Sequence, residues 1–529
     1  MIDDIEQEVA RLKAIITELY QSDSMPWIIG YSGGKDSTTC VQLVWMAISE
    51  LPEEKRSKPV HVISTDTLVE NPVVAAWVSK SLEKMEKTAI ENKLPIFPHR
   101  LTPELKNRFW VNLIGRGYPA PRPKFRWCTE RLKILTATSF LQNLSETNGE
   151  AILVLGTRKA ESHARAHTIE KYEGSSRKYL SRNADPKLSR VWVFSPIVDW
   201  TNDDVWEFIG TFENPWGVAS SDLLELYRGA TPDHECPVVV DTSTQSCGDS
   251  RFGCYVCTMV AQDKSMEAMI LNDESKAWMQ PILDFRNKYL APDEKERSKR
   301  DFKRLGNNRL ILIKNELVHG PYTQSYRAEL LRHLLIAQVE VKRDGEKSGF
   351  KNVDLIGMDE LDEIRRIWVE EKGEIEDLLP KIYADVMGKP YPGKERETLP
   401  VTSEDLELLS SAAKEWISSN IPGSEDEVKG RSEELYELVR TLLASSYHSK
   451  GSKQRSKQLD EIGKILDRYA FLDEAQATQF ARTYVSNSSD DASEPPVPDT
   501  GTDEKSSLTE EDSDIVKKEL LIYKETTYI

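Results

Sequence analysis

Long apolar runs are missing from this chain. The most apolar stretches, Ala151 to Leu155 and Leu310 to Ile313, fall far short of the ~20 residues a membrane-spanning helix needs. The N-terminus, MIDDIEQEVARLK, is acidic and amphipathic, where a signal peptide would be basic and then apolar. Neither a membrane anchor nor a secretory leader is expected. Cysteine is scarce as well: 6 in 529 residues cannot staple a secreted domain, so a reducing cytoplasm is the expected compartment. Positive charge is in deficit, with 70 Lys and Arg against 88 Asp and Glu and a net charge of −18. Nucleic-acid affinity rests on neutralising phosphates, so this chain is not expected to grip nucleic acid unaided. No internal repeat is seen.

What is present is an alternation of short apolar runs with helical patterns. The length exceeds what one hydrophobic core organises. An amphipathic helix from about Ile5 to Tyr20 leads into a buried strand at Trp27 to Tyr31, then a glycine-rich turn and a helix through about Ile48. Further strands are read at Val60 to Thr65, in LPIFPHRL, at Ala151 to Gly156 and at Val191 to Ile197. Five strands separated by helices predict an α/β domain with a parallel five-stranded sheet, whose ligands bind beyond the carboxyl ends of the strands.

The expected divisions are a nucleotide-binding domain over 1–230, a cysteine segment over 231–265 and a mainly helical domain over 266–485. Beyond these come a disordered acidic linker over 486–514 and a terminal segment, 515–529. Residues 486–514 carry ten acidic residues against one lysine, too little apolar surface to fold. ELLIYKETTYI regains apolar character, and reads either as a tethered docking segment or as an ordinary end of the fold.

SGGKDS, Ser32 to Ser37, stands where the first strand hands over to a helix. Backbone N–H groups and the helix dipole converge on an anion there, and Gly33 and Gly34 let the backbone approach it. A Walker A loop would need glycine at 29 and Ser or Thr at 36, and the chain has Ile29 and Asp36. The string resembles the PP-loop of ATP pyrophosphatases, of the adenine nucleotide α-hydrolase type. That resemblance implies ATP and Mg2+, with Lys35 and Ser37 on phosphate oxygens and Asp36 positioning the metal. Three more strings, STDTLVENP, GTRKAES and SPIVDWTNDDVWEFI, resemble the phosphoadenylylsulfate reductase branch of that family. By that resemblance Asp66, Thr67 and Gly156 lie beside the nucleotide, and Arg158, within a string that includes Glu161 and Ser162, contacts phosphate or sulfate. A guanidinium grips phosphate through two parallel bonds, and Arg158 and Arg165 are the candidates. Asp204 and Trp206 read as cap and packing of their helix.

Cys236, Cys247, Cys254 and Cys257 are separated by ten, six and two residues. Four soft thiolates suit iron-sulfur or zinc. A single CxxC pair favours a 4Fe-4S cluster over a two-knuckle zinc site, with zinc and a stray His234 ligand as the second reading. Cys128, in KFRWCTERLK, has cationic neighbours that favour a nucleophilic thiolate or persulfide; a structural role stands beside that reading. Arg126, Arg131 and Lys133 are candidate phosphate contacts, and Cys40 reads as core.

No cysteine follows Cys257, which speaks against sulfonucleotide reduction with a C-terminal cysteine and for activation followed by sulfur transfer. The whole pattern resembles the DndC family of DNA phosphorothioation sulfurtransferases. Membership implies ATP cleavage to AMP and pyrophosphate and replacement of a non-bridging DNA phosphate oxygen by sulfur. It also implies partners: a cysteine desulfurase as sulfur donor, an SMC-like ATPase and a small DNA-binding protein that help hold DNA. A tRNA-thiolating PP-loop enzyme, a sulfonucleotide enzyme and a non-catalytic nucleotide-binding scaffold are the rival readings. Between Arg286 and Lys314 lie ten basic and four acidic residues with Phe285, Tyr289 and Phe302 near them. This stretch reads as a solvated amphipathic helix or a weak nucleic-acid surface through Arg297, Lys299, Arg300, Lys303 and Arg304.

Overall fold

Short runs of β-branched and apolar residues become strands, buried at Trp27–Gly30 and Ala151–Val154 and largely uncovered at Ile96–Leu101, and helices supply the main crossovers. The computed structural model describes residues 2, 4–122, 125–161, 167, 177–183, 185–231, 252–291, 296–303, 305–306, 309–313, 316–350, 353–394, 401–448 and 455–489. Strands β1 (Trp27–Gly30), β2 (Val60–Thr65), β3 (Ile96–Leu101), β4 (Ala151–Val154), β5 (Ser181–Arg182) and β6 (Val191–Phe194) form one sheet in the order β3-β2-β1-β4-β6-β5. The five expected strands are mutually parallel, with Trp27 opposite both Val60 and Ile152. The sheet nevertheless has six strands: β5 pairs antiparallel with β6, Ser181 opposite Val193. Two residues of edge strand leave no periodicity to read.

Helices α1 (Ile5–Ser22), α2 (Lys35–Ser49), α3 (Pro72–Glu91) and α4 (Leu135–Asn148) connect or flank these strands. α1 starts under an Asp4 cap, and α3 under an Asn71 cap with Pro72 in its first turn. Ile28, Ile63, Leu141, Ala151, Leu153 and Val191 make a core between the sheet and α4. α2 is buried along almost its whole length, which explains an apolar run without a clean amphipathic period.

The chain divides into two units, 1–120 with 127–299 and 321–400, and 121–126 with 300–320 and 401–529. The contiguous helical domain expected over 266–485 is therefore shared between them. In the first unit, helix Gln324–Lys347 packs against Gln280–Phe285 and Leu378–Met387. A buried Arg327 ion-pairs there with buried Glu374. In the second unit, helices Ser403–Asn420 and Glu425–His448 pack together, and Lys303 is buried against Glu434. The helix Glu474–Ser489 extends into the start of the stretch expected to be disordered, while residues 490–529 lie outside the described residues. Among the described residues no helix is long and apolar enough to cross a membrane.

One buried acid makes stability depend on pH. Glu360, which accepts from the Gly357 N–H at 3.2 Å, has its carboxyl pushed up to about 7, chiefly by burial. An unfolded glutamate titrates near 4.3, so between these values the folded chain holds a proton that the unfolded chain has lost. Stability then falls as pH rises through that window and stays lower above it. Glu360→Gln keeps the acceptor and removes the charge. Denaturant melts should show it more stable than wild type by about 1–3 kcal/mol at pH 8 and equal to it at pH 4.

Candidate active site

Successive strands run outward from β1 to β2 and β3, and the chain then returns to place β4 on the other side of β1. The reversal opens a crevice between the loops that leave β1 and β4, the position where such sheets bind ligands. Ser32 to Ser37 lies on one side of it and Gly156 to Arg158 on the other. The Arg158 Nε donates to Asp36 Oδ1 at 2.7 Å across this crevice. Arg158 also donates to the Trp200 carbonyl at 3.3 Å. Gly156 is required by closeness, since a Cβ there would stand 2.8 Å from the Asp36 carbonyl oxygen.

The loop is built as an anion cradle. Gly33 has φ +75°, and its carbonyl accepts from the Trp77 indole at 3.0 Å. Gly34 is the N-cap of α2 and supplies no side chain to cap it; a helix N-terminus attracts an anion, and here the Lys35 N–H is held by the Tyr227 hydroxyl at 3.2 Å. Ser37 Oγ bonds the Gly34 carbonyl at 3.0 Å and approaches Ser32 Oγ at 3.1 Å. Lys35 Nζ lies 3.7 Å from Asp36 Oδ2 and 5.4 Å from the Tyr227 ring centroid. These groups fit a nucleotide's phosphates, and the Asp36 carboxylate beside them fits Mg2+ chemistry.

Asp66 and Thr67 leave β2 in the same direction and take different roles. Asp66 accepts from Arg100 Nε at 3.0 Å and from the Leu68 N–H at 2.9 Å. That second bond holds Leu68 at φ 64°, a left-handed turn an ordinary residue rarely adopts. Thr67 is fully buried; its hydroxyl donates to Glu70 Oε1 at 2.8 Å and lies 3.4 Å from Cys254 Sγ. Its side chain is thus committed to the cysteine segment.

That segment is docked directly on the loop after β2. Glu70 and Cys254 form an antiparallel bridge, and Tyr255 N–H donates to the Val69 carbonyl at 3.0 Å. Cys254 Sγ stands 3.6 Å from Glu70 Oε1. Burial, reinforced by the Glu70 charge, pushes the Cys254 thiol up to about 12. Lys133 reaches to 3.5 Å from Glu70, and its pKa is raised first by Cys254 and further by Glu70 and Cys128. The two thiols and Lys133 therefore share one electrostatic neighbourhood. Cys257 N–H donates to the Cys254 carbonyl at 2.9 Å, the tight turn of a CxxC knuckle. This turn and the soft donors fit two ligands of an iron-sulfur or zinc centre. Among the described residues no three potential ligands are grouped; Cys236, Cys247, His234, Ser162 and Arg165 lie outside them.

Several expected contacts are placed elsewhere. Arg131 turns inward to Asn107 Oδ1 at 3.0 Å and Tyr118 Oη at 3.2 Å, so it braces the fold. Arg126 belongs to the other unit. Cys40 is core, and Asp204 forms a capping box with Thr201, as expected. The basic stretch is largely consumed internally. Arg286 is fully buried, Arg300 donates to the Gly320 carbonyl at 2.8 Å, Lys299 Nζ lies 4.8 Å from the Tyr326 ring and Lys303 pairs with Glu434. Arg297 is exposed, and Arg304 lies outside the described residues.

Sequence reasoning missed Glu70, Tyr227 and Arg286. Glu70 stands inside the STDTLVENP string and was within reach of it. Tyr227 and Arg286 sit in ordinary helical contexts that carry no local signal.

Residues 26–216 match the family described as the phosphoadenosine phosphosulfate reductase domain. No curated protein matches the chain at a significant level. Among solved structures, FMN adenylyltransferase of Candida glabrata in complex with FAD and inorganic pyrophosphate is 14% identical, with a TM-score of 0.25, over 45% of this chain and 66% of that one. The chain spans just under two thirds of the length of that structure. The U34-tRNA thiolase NcsA from Methanococcus maripaludis, with its 4Fe-4S cluster, is 14% identical with a TM-score of 0.25, over 55% of this chain and 82% of that one.

Proposed function

We propose, for a chain whose residues 26–216 match the phosphoadenosine phosphosulfate reductase domain, that it is an ATP-dependent sulfurtransferase acting on the DNA backbone. The supporting observation is adjacency. The loop that follows β2 flanks the crevice of Ser32 to Ser37 and is hydrogen-bonded to the segment bearing Cys254, so the candidate phosphate loop and the cysteine segment lie at the same end of the sheet.

A phosphate oxygen is a poor leaving group until it becomes part of a mixed anhydride. The N–H groups of Gly34 to Ser37 and the Lys35 ammonium hold the pyrophosphate portion of ATP, and Arg158 faces the α-phosphate. The substrate oxygen attacks that phosphorus and pyrophosphate leaves. Cys128 carries a sulfane sulfur received from a cysteine desulfurase. This sulfur attacks the activated phosphorus, AMP departs, and a further thiol reduces the resulting P–S–S–C bridge, freeing the phosphorothioate and leaving a disulfide. Lys133 stabilises negative charge on sulfur beside Glu70. Mg2+, when bound, would be held by Asp36 and would neutralise phosphate charge. A 4Fe-4S cluster would be held by Cys254 and Cys257 with Cys236 and Cys247, and would supply iron sites that bind sulfur. With a net charge of −18, the DNA is held with an SMC-like ATPase and a small DNA-binding protein of the same system.

Pyrophosphate release from ATP by the purified chain with its partners tests the nucleotide step. Lys35→Ala should reduce it about 100-fold, the scale of losing one charged stabiliser of a developing anion; no release from wild type would assign a scaffold role instead. Mass spectrometry of nucleosides with and without the gene tests the substrate. Loss of a phosphorothioate dinucleotide is expected, and loss of a thiolated base would point to tRNA. Visible absorbance near ~400 nm should disappear in Cys254→Ser if the centre is iron-sulfur, and be absent from wild type if it is zinc.

A further inference from the structure

Tyr227 ends the helix Ser220–Gly229 and touches both halves of the site. Its hydroxyl accepts from the Lys35 N–H at 3.2 Å, a donor at the first turn of α2. A Cβ on Gly34 would lie 3.2 Å from the same hydroxyl, so the phenol stands over the cradle itself. The ring is nearly sealed from solvent between Trp206, at 5.0 Å and 89°, and Phe252, at 4.6 Å and 73°. Phe252 precedes Gly253 and Cys254. The Gly253 carbonyl accepts from the Asn71 N–H at 3.4 Å, and Tyr255 N–H donates to Val69. A continuous path of bonded and packed groups therefore runs from the Lys35 amide to Cys254.

The geometry points to Tyr227 as a positioning residue that reports nucleotide occupancy to the cysteine segment: its hydroxyl occupies the Lys35 N–H that a phosphate oxygen takes, and its ring carries the change to Phe252. This rests on the reading of Ser32 to Ser37 as a nucleotide loop. When an anion takes the amide, the phenol loses a partner and its ring loses one anchor. The edge-on contact with Phe252 then loosens, and the strand-like pairing of residues 253–255 with 69–71 opens more often. The device makes the Cys254 segment more mobile when the activating nucleotide is in place. Tyr227 is a neutral phenol, and burial raises its pKa further, to about 12, so it accepts from the amide without adding a competing charge.

Hydrogen–deuterium exchange of the peptide covering 252–257, read at the Tyr255 amide in the full chain as purified, tests this with ATP and Mg2+ as probe. In wild type the amide should exchange about five-fold faster with ATP, the factor that loss of one ordinary hydrogen bond supplies. Tyr227→Phe should show the faster rate already without ATP and no further response. Phe252→Leu should bind ATP within about two-fold of wild type, measured by calorimetry, with the ATP response of Tyr255 gone. A merely structural Tyr227 would change the basal rate and leave the response to ATP intact, which overturns the inference. ATP binding by wild type with unaltered exchange at Tyr255 overturns it alone; failure of wild type to bind ATP overturns the nucleotide reading with it.

Discussion

Gly33→Ala is expected to lose both fold stability and ATP turnover. The residue sits at φ +75°, and a Cβ there would stand 2.5 Å from Val78 Cγ2 and 3.2 Å from the Trp77 ring. Holding a side chain in the left-handed region costs about 1–2 kcal/mol. Forcing a methyl into filled space costs about 1–3 kcal/mol more. The chain can relieve this only by moving the loop off α3, because Val78 and Trp77 belong to that helix and Trp77 holds the Gly33 carbonyl. The N–H groups then no longer converge, and pyrophosphate release should fall about 100-fold. Thermal unfolding and the release assay read the two effects separately. An alanine variant with wild-type melting and turnover would remove the cradle from the mechanism.

The second large effect belongs to Arg286, far from the nucleotide in sequence. Its guanidinium donates to the Cys257 carbonyl at 2.8 and 3.1 Å, to the Ala261 carbonyl at 2.7 Å and to the Val260 carbonyl. These carbonyls close the turn after the CxxC knuckle. Arg286→Ala removes a fully buried side chain and the donors of three part-buried carbonyls, so a loss of about 2–3 kcal/mol is expected in thermal or denaturant melts. Arg286→Lys should not rescue it, because one ammonium cannot serve a fan of three carbonyls as a planar fork does. Metal content per chain should fall in both variants. A loss under about 1 kcal/mol with metal retained would show that the knuckle stands without this clamp.

Much of the nucleotide half was legible locally. A β-branched run ending in SGGKDS, with helical periodicity after it, specifies strand, turn and helix through dihedral preferences that neighbours along the chain decide. The same holds for the capping box of Thr201 and Asp204. The sixth strand escaped because two residues carry no period, and the helical region looked like one domain because amphipathic helices do not state which core their apolar face enters. The basic stretch misled for a related reason: charge counts do not reveal that Arg286 and Lys303 are buried on specific acceptors.

The sequence by itself determined the parallel α/β plan, the phosphate-type turn and the presence of a cysteine knuckle, because each is written in contiguous residues. Only the tertiary structure decided that Thr67 and Glu70 face Cys254, that Lys133 reaches Glu70, and that Tyr227 covers the loop. These neighbours are brought together by the reversal of strand order at β1 and by docking of residues 253–255 on the loop after β2, contacts between segments far apart in the chain that no local pattern encodes.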